Sequence, residues 1–149
     1  MGNQKNSTDK TSWSIKEIRE LFKGEFVYIA EKFNITLMSL NALTQSKAPG
    51  VYVFWKHNSV IKVGRSLTNA MARALQHIGP DDTGNKADQK EKDWRRVLPR
   101  DQGMKVLKND ELCHLLLFTI KERDDRHWIA ALELFLEDHL EPEIRSKRH

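Results

Sequence analysis

The chain has 149 residues, 39% of them hydrophobic, and its 25 basic and 21 acidic residues give a formal charge of +4. This length suits one domain with a real core and argues against a large second domain. No apolar run of membrane length and no secretion signal is present, so we expect a cytoplasmic, intracellular protein that does not bind membranes.

The N-terminal region divides into a polar tail and a helix. Residues 1–12 are polar, which predicts a disordered tail. Ser14 and Glu17 then form the pattern of a capping box, which predicts a helix over residues 15–23.

The segment that follows this helix is ambiguous. Over residues 25–43 the apolar spacing fits either a second helix or a strand. We assign residues 13–46 as a whole to a helical N-terminal extension, and residues 47–145 to the functional domain.

Two apolar segments rich in β-branched and aromatic residues come next, separated by turn formers. Residues 51–55 and 60–63 predict a β-hairpin. Tyr52 and Lys62 share one face, directly opposed or one diagonal step apart, at roughly 5 to 8 Å. The other face is predicted to consist of Val51, Val53, Trp55, Ile61 and Val63.

After Gly64 the apolar spacing changes to that of a helix, which Ser66 or Thr68 can cap. Its apolar stripe consists of Leu67, Met71, Ala74, Leu75 and Ile78. Arg73 and His77 lie four residues apart on the opposite face. Taken alone, such a polar row is more often a solvated face than a site.

Basic residues are concentrated between residues 86 and 108. A phosphate-binding surface and a solvated helix and loop explain this concentration equally well, because acids are interspersed. The candidate phosphate-binding residues are Lys92, Arg95, Arg96 and Arg100.

Residues 112–120 are almost continuously apolar and predict a third strand, in which Cys113, the single cysteine, is a buried residue rather than a metal ligand. The order of elements indicates an α/β (α+β) fold: a small three-stranded, mainly antiparallel sheet flanked by helices.

Glu133 is unusual for its position within a predicted helix over residues 126–140, which Asp124 or Asp125 would cap. Helical spacing places its carboxylate in the core-facing stripe with Ile129, Leu136 and Leu140. A carboxylate buried there requires a cation, a metal or several hydrogen-bond donors, whereas one at the edge of the stripe could reach water or a lysine.

Three of these features, taken together, resemble the GIY-YIG nuclease family. Gly50-Val51-Tyr52 resembles the family's first strand motif, and Lys62-Val63-Gly64 resembles its second. Arg73 and His77 match the arginine and the histidine, four residues later, on the following helix. Lys62 departs from the family pattern, because it replaces the second tyrosine.

A downstream segment extends the resemblance. Residues 132–145 read LELFLEDHLEPEIR and are similar to the family's pattern around its metal-binding glutamate, with Glu133 at that position. Arg145 stands where the family has asparagine. The resemblance covers about residues 47–145 and implies the family's three-stranded core.

The function implied is that of a metal-dependent endonuclease that hydrolyses DNA phosphodiester bonds; a restriction-type enzyme and a low-specificity nuclease both fit. Glu133 would hold Mg²⁺ or Mn²⁺ with waters and substrate oxygens, and Arg73 would clamp the phosphate. One site per chain implies either a homodimer or sequential nicking for a double-strand break.

Four further roles follow from the same resemblance and from the chemistry of the side chains. Tyr52 would orient or activate the water, and an ammonium at Lys62 would favour its phenolate. His77 would relay a proton or contact the phosphate, and Arg65 is a further phosphate contact.

Two other classes of function remain open. The departures at Lys62 and Arg145 are compatible with a non-catalytic nucleic-acid-binding protein that retains the fold. A chance match in a protein-interaction domain would instead predict no salt-sensitive affinity for DNA.

Overall fold

The computed structural model describes residues 12–39, 47–78 and 113–144, with the backbone alone for residues 77 and 78. No helix among these residues is long and apolar enough to span a bilayer. The regular elements of the described residues are α1 (Ile15–Glu25), β1 (Phe33–Ser39), β2 (Gly50–Lys56), β3 (Ser59–Ser66), α2 (Ala70–Ile78), β4 (Cys113–Ile120) and α3 (His127–Leu140).

The sheet has four strands in the order β1-β4-β2-β3, and every neighbouring pair is antiparallel. The prediction of three strands was therefore wrong. The additional strand is β1, which pairs along β4 from Phe33 opposite Ile120 to Ser39 opposite His114. Of the two alternatives left open for this region, the strand is the one that forms over 33–39.

The hairpin between β2 and β3 confirms the predicted diagonal relation. Tyr52 lies opposite Gly64 and Phe54 opposite Lys62, so Lys62 is one diagonal step from Tyr52. The turn residues His57 and Asn58 have φ angles of 54° and 60°. Positive φ at both central residues is the geometry of a type I′ turn, whose twist matches that of the strands.

An irregularity in the hairpin overturns one predicted face. The register shifts between Phe54 and Trp55, so that Trp55 lies opposite Val60. A bulge of this kind breaks the alternation of side chains. As a result Ile61 packs with Tyr52 and Phe54, not with Val51 and Val53 as expected from strict alternation.

Both faces of the sheet are covered. α2 packs on one face, in a cluster that includes Tyr52, Phe54, Met71, Ala74, Leu115 and Leu117. α1 and α3 pack on the other, in a cluster that includes Ile18, Phe22, Val51, Val63, Phe118, Ile129 and Leu136. Successive residues of β4 alternate between the two clusters, which explains its continuously apolar sequence, and the free Cys113 is buried, as predicted.

The N-terminal region belongs to this same core. The predicted capping box is present: the Glu17 backbone N–H donates to Ser14 Oγ at 3.1 Å, and the Ser14 N–H donates to Glu17 Oε1 at 2.9 Å. The N–H of Trp13 donates to the carbonyl of Asn58 in the hairpin turn at 2.8 Å. The predicted helix is present as α1, but residues 13–46 are not helical throughout, because they also supply β1.

Candidate active site

Among the predicted site residues whose side chains the structure describes, Tyr52 is the most deeply buried, with 2% of its surface exposed. Its ring lies directly over Gly64 on the neighbouring strand. A Cβ at position 64 would lie 2.7 Å from Tyr52 Cε1 and closer still to the hydroxyl oxygen. The absence of a side chain at Gly64 therefore lets the hydroxyl of Tyr52 reach across β3, the edge strand of the sheet.

Burial raises the pKa of Tyr52 well above its ordinary value near 10, because the phenolate would lose its hydration. Arg73 opposes this effect through its charge and through a hydrogen bond to the phenol, whereas the negative charge of Glu133 adds to it. Tyr52 is consequently a neutral phenol at neutral pH. The phenolate suggested by the neighbouring Lys62 is not the resting form.

Arg73 lies on α2, whose start is fixed by side chains. The Asn69 carboxamide oxygen accepts the Ala72 N–H at 3.0 Å and so caps the helix. Ser66 and Thr68, the predicted caps, do not cap α2. Instead, Ser66 Oγ accepts the N–H groups of Thr68 and Asn69 and so holds the turn that leads into α2.

The guanidinium of Arg73 is held on two sides. It donates to the phenol oxygen of Tyr52, and Nη1 donates to Gln76 Oε1 at 2.9 Å. Gln76 was not among the predicted site residues, although its spacing of three from Arg73 is that of contacting neighbours on a helix. Arg73 remains exposed, so a ligand can reach it.

Glu133 lies in the core-facing stripe of α3, as predicted, with 6% of its surface exposed and Ile129, Leu136 and Leu140 buried on the same helix. Its Oε1 accepts a hydrogen bond from Arg65 Nη1 at 3.2 Å, in an ion pair. The side chain of Arg65 is 44% exposed, so the pair joins a buried carboxylate to a half-solvated cation.

Two features near Glu133 differ from expectation or were missed. Asp124 and Asp125 lie in a short 3₁₀ turn, Arg123–Asp125, and the N-cap of α3 is Arg126, which makes no side-chain capping bond. Glu137, one turn after Glu133, is completely buried on the same stripe. The helical spacing that identified Glu133 identifies Glu137 equally.

Gly50, the other glycine of the motif, is also required for a steric reason. It pairs with Thr119 of β4, and a Cβ at position 50 would lie 2.8 Å from Thr119 Cα and closer to the carbonyl oxygen of Phe118. Any larger residue would push β2 away from β4 at the end that carries Tyr52. Gly50 thus keeps the strand that positions Tyr52 in register.

An open cleft of about 410 Å³ lies beside these groups and is lined by Arg65, Ser66, Thr68, Asn69, Ala72, Arg73 and Gln76. We call it the arginine cleft. Two guanidinium groups with hydroxyl and amide side chains suit an anion with several oxygens, such as a phosphate group.

The remaining predicted residues are not all placed by the structure. Lys62 is half-buried on β3, next to Ile61. The backbone of His77 lies in α2, one turn after Arg73, but its side chain lies outside the described residues. Lys92, Arg95, Arg96, Arg100 and Arg145 also lie outside them.

The donors around Glu133 limit the kind of metal that fits. Among the residues that the structure describes, no three histidine, cysteine, aspartate or glutamate side chains converge as a metal-binding group. One carboxylate is enough only for an ion that keeps most of its waters and shares substrate oxygens, as Mg²⁺ does. Glu133 fits an ion of that kind, but not a fully protein-ligated metal.

Comparison with known proteins finds no significant match to the chain among family models, curated proteins or solved structures. The case for a function therefore rests on the residues and the geometry described above.

Proposed function

We propose that the protein is a metal-dependent endonuclease of the GIY-YIG type that hydrolyses DNA phosphodiester bonds. The observation that carries the proposal is the convergence of Tyr52, Arg73, Arg65 and Glu133 from β2, α2, β3 and α3 onto one edge of the sheet. A phenol, two guanidinium groups and a buried carboxylate beside an open cleft are the groups that phosphodiester hydrolysis needs.

The two arginines are proposed to bind the scissile phosphate. Arg73 is anchored by Tyr52 and Gln76, so its fork of donors is already oriented when the substrate arrives. Arg65 borders the same cleft from β3. Charge that develops on the phosphoryl oxygens would thus meet one cation, Arg73, whose position is set in advance, and a second, Arg65, at the border of the same cleft.

Tyr52 is proposed to act in its phenol form. The hydrogen bond from Arg73 fixes the position of the phenol oxygen, and a phenol can donate its hydroxyl hydrogen to the attacking water or to a phosphate oxygen once substrate is bound. To remove a proton from that water, Tyr52 would first have to lose its own hydroxyl proton to solvent, and Arg73 is the cation that would stabilise the phenolate formed in that step.

Glu133 is the residue proposed to hold Mg²⁺ or Mn²⁺, with its carboxylate. Bound there, such an ion would supply charge stabilisation to the phosphoryl oxygens and the leaving alkoxide. Glu133 Oε1 already accepts from Arg65, and Arg65 is half exposed, so its guanidinium is free to turn toward the phosphate when a second cation shares the carboxylate.

The same ion pair favours one alternative from another class, a nucleic-acid-binding protein without catalysis. In the described residues Glu133 already has Arg65 as a cation, and no group of three metal ligands accompanies it. A guanidinium that neutralised the carboxylate permanently would leave the arginine cleft as an anion-binding surface alone.

Cleavage of supercoiled plasmid by purified protein separates the two functions. The assay compares the wild type with Arg73→Ala and Glu133→Gln in Mg²⁺, in Mn²⁺ and in chelator. Arg19→Ala and Glu20→Gln are the matched controls, because they make similar changes at exposed positions of α1, on the face of the sheet opposite α2.

The nuclease proposal predicts metal-dependent cleavage by the wild type and both controls, and a loss of at least about a hundredfold in each site variant. Binding of DNA without nicking in either metal would support the alternative. Cleavage by a folded Arg73→Ala/Glu133→Gln variant at the wild-type rate would refute the proposed site. The ratio of nicked to linear product distinguishes sequential nicking from coordinated cleavage by a homodimer.

A further inference from the structure

A second group of cations lies beside the arginine cleft, and we propose that it binds the DNA backbone next to the scissile phosphate. The group lines a separate cleft of about 290 Å³ and consists of Lys47, Lys121, Arg123 and Arg126. We call it the flanking cleft. This inference rests on the proposed function and extends it, because none of these four residues belongs to the site described above.

The charge of the flanking cleft is strongly one-sided. Its described lining carries four cations and a single acid, Glu122. All four cations are exposed, so they can reach a ligand without rearrangement of the core. Of the neighbouring acids, Asp125 already forms an ion pair with Lys32 at 3.7 Å, and the side chain of Asp124 is exposed. The cleft therefore presents a net positive surface.

Backbone hydrogen bonds fix the floor of the flanking cleft. The N–H of Ile120 donates to the carbonyl of Pro49 at 3.1 Å, and the N–H of Ala70 donates to the carbonyl of Ala48 at 2.9 Å. These bonds tie the segment before β2 to the end of β4 and to the start of α2. They also fix the backbone from which the neighbouring side chains of Lys47 and Lys121 extend into the cleft.

The two clefts meet at one residue. Thr68, in the turn before α2, lines both the arginine cleft and the flanking cleft. Cations thus follow one another from Arg73 and Arg65 past Thr68 to Arg126 and Lys47. A phosphodiester strand matches this row of cations, because it carries one negative charge per nucleotide along a continuous path. A small anion would use only one of the two clefts.

The test compares DNA binding by two triple variants that each remove three positive charges. The cleft variant is Lys121→Ala/Arg123→Ala/Arg126→Ala. The control variant is Lys16→Ala/Arg19→Ala/Lys23→Ala, which removes exposed cations of similar type from α1. Fluorescence anisotropy with a labelled duplex in chelator, over a range of salt concentrations, measures affinity without cleavage, and thermal unfolding verifies that both variants are folded.

The proposal predicts that the cleft variant loses at least about tenfold in affinity and that its salt slope shrinks by about 2.7, the value for three lost phosphate contacts. The control variant should change affinity by less than about threefold. Equal losses in both variants would show that only net charge matters and would overturn the proposal. A cleft variant with wild-type affinity and salt slope would also overturn it.

Two further arms keep the inference separate from the nuclease proposal. With all three cleft cations replaced by glutamine, affinity for DNA should remain low, whereas the charge-conserving variant Lys121→Arg/Arg123→Lys/Arg126→Lys should keep most of the wild-type affinity.

If the wild type cleaves DNA, the cleft variant should raise KM and leave kcat within about twofold. If the wild type binds but never cleaves, the anisotropy result still decides the flanking cleft. Competition by millimolar inorganic phosphate that disappears in the cleft variant would identify a small-anion site and refute the backbone path.

Discussion

Gly64→Ala places a methyl group against the Tyr52 ring and so tests the geometry of the site without any assumption about function. The added Cβ would lie 2.7 Å from Cε1 and nearer to the hydroxyl oxygen. Tyr52 has little room to retreat, because it is 2% exposed and packs edge to face on Phe54, with ring centroids 5.8 Å apart. The ring or strand β3 must move.

The cost can be worked out from two contributions. Overpacking of a filled core costs about 1 to 3 kcal/mol. Displacement of the phenol also breaks its hydrogen bond with Arg73, which is worth about 1 kcal/mol at a partly exposed site. The sum is about 3 kcal/mol, which for a domain of this size lowers the melting temperature by roughly 10 °C.

The chain offers a matched control at Gly24, which lies within α1 and would have no heavy atom within 4 Å of an added Cβ. Gly24→Ala should stabilise the protein by about 0.5 to 1 kcal/mol, because alanine is the better helix former. Urea unfolding gives the free energy for both variants, and for Gly64→Ala in a Tyr52→Leu background that lacks the ring.

In that background Gly64→Ala should cost less than about 1 kcal/mol, so the two positions should be coupled by about 2 kcal/mol. Equal costs in the two backgrounds would show that the ring does not lie over Gly64. The path of the Tyr52 hydroxyl toward the edge of β3 would then be wrong, and with it the proposed site.

Three further predictions concern the same region. Since burial raises the pKa of Tyr52, the folded protein keeps a proton that the unfolded chain loses at alkaline pH. The contribution of Tyr52 to the free energy of unfolding should therefore be constant below about pH 10 and fall by about 1.4 kcal/mol per pH unit above it. The difference between Tyr28→Phe and Tyr28→Phe/Tyr52→Phe in alkaline urea unfolding isolates this effect, and no difference in slope would contradict it. Arg65→Ala should lower the free energy of unfolding by about 1 to 2 kcal/mol, because it leaves the buried Glu133 without a cation that is itself partly solvated. A double-mutant cycle with Glu133→Gln that shows no coupling would exclude the ion pair. Asn69→Ala should cost about 1 kcal/mol by thermal unfolding and Asn69→Asp almost nothing, since aspartate also caps; equal losses would place the cap elsewhere.

Local periodicity was enough to predict much of the site. Strand alternation placed Tyr52 and Gly64 on one face, and the helical spacing of α3 placed Glu133 among core residues. Each of these predictions depends on residues that are close in sequence. The covalent geometry of a strand or a helix then determines which side chains share a face.

The features that were missed depend on distant contacts. β1 forms a strand because it pairs with β4, about eighty residues later, and its own sequence fits a helix nearly as well. The pairing of Arg65 with Glu133 spans 68 residues and requires α3 to lie beside the edge strand. Ile61 changes face because of a bulge, which apolar spacing alone does not reveal.

The glycines of the motif are explained by the fold, whereas its polar residues are not. Gly50 and Gly64 are required sterically, by the backbone of β4 and by the Tyr52 ring, so a protein with this sheet needs them whether or not it is an enzyme. Packing gives no such reason for Arg73, which is exposed yet anchored to a buried phenol, or for a buried carboxylate at Glu133. An apolar residue at Glu133 would avoid the cost of burying a charge beside Arg65. The polar convergence is therefore the part of the pattern that folding does not explain, and it is on this part that the proposed nuclease function depends.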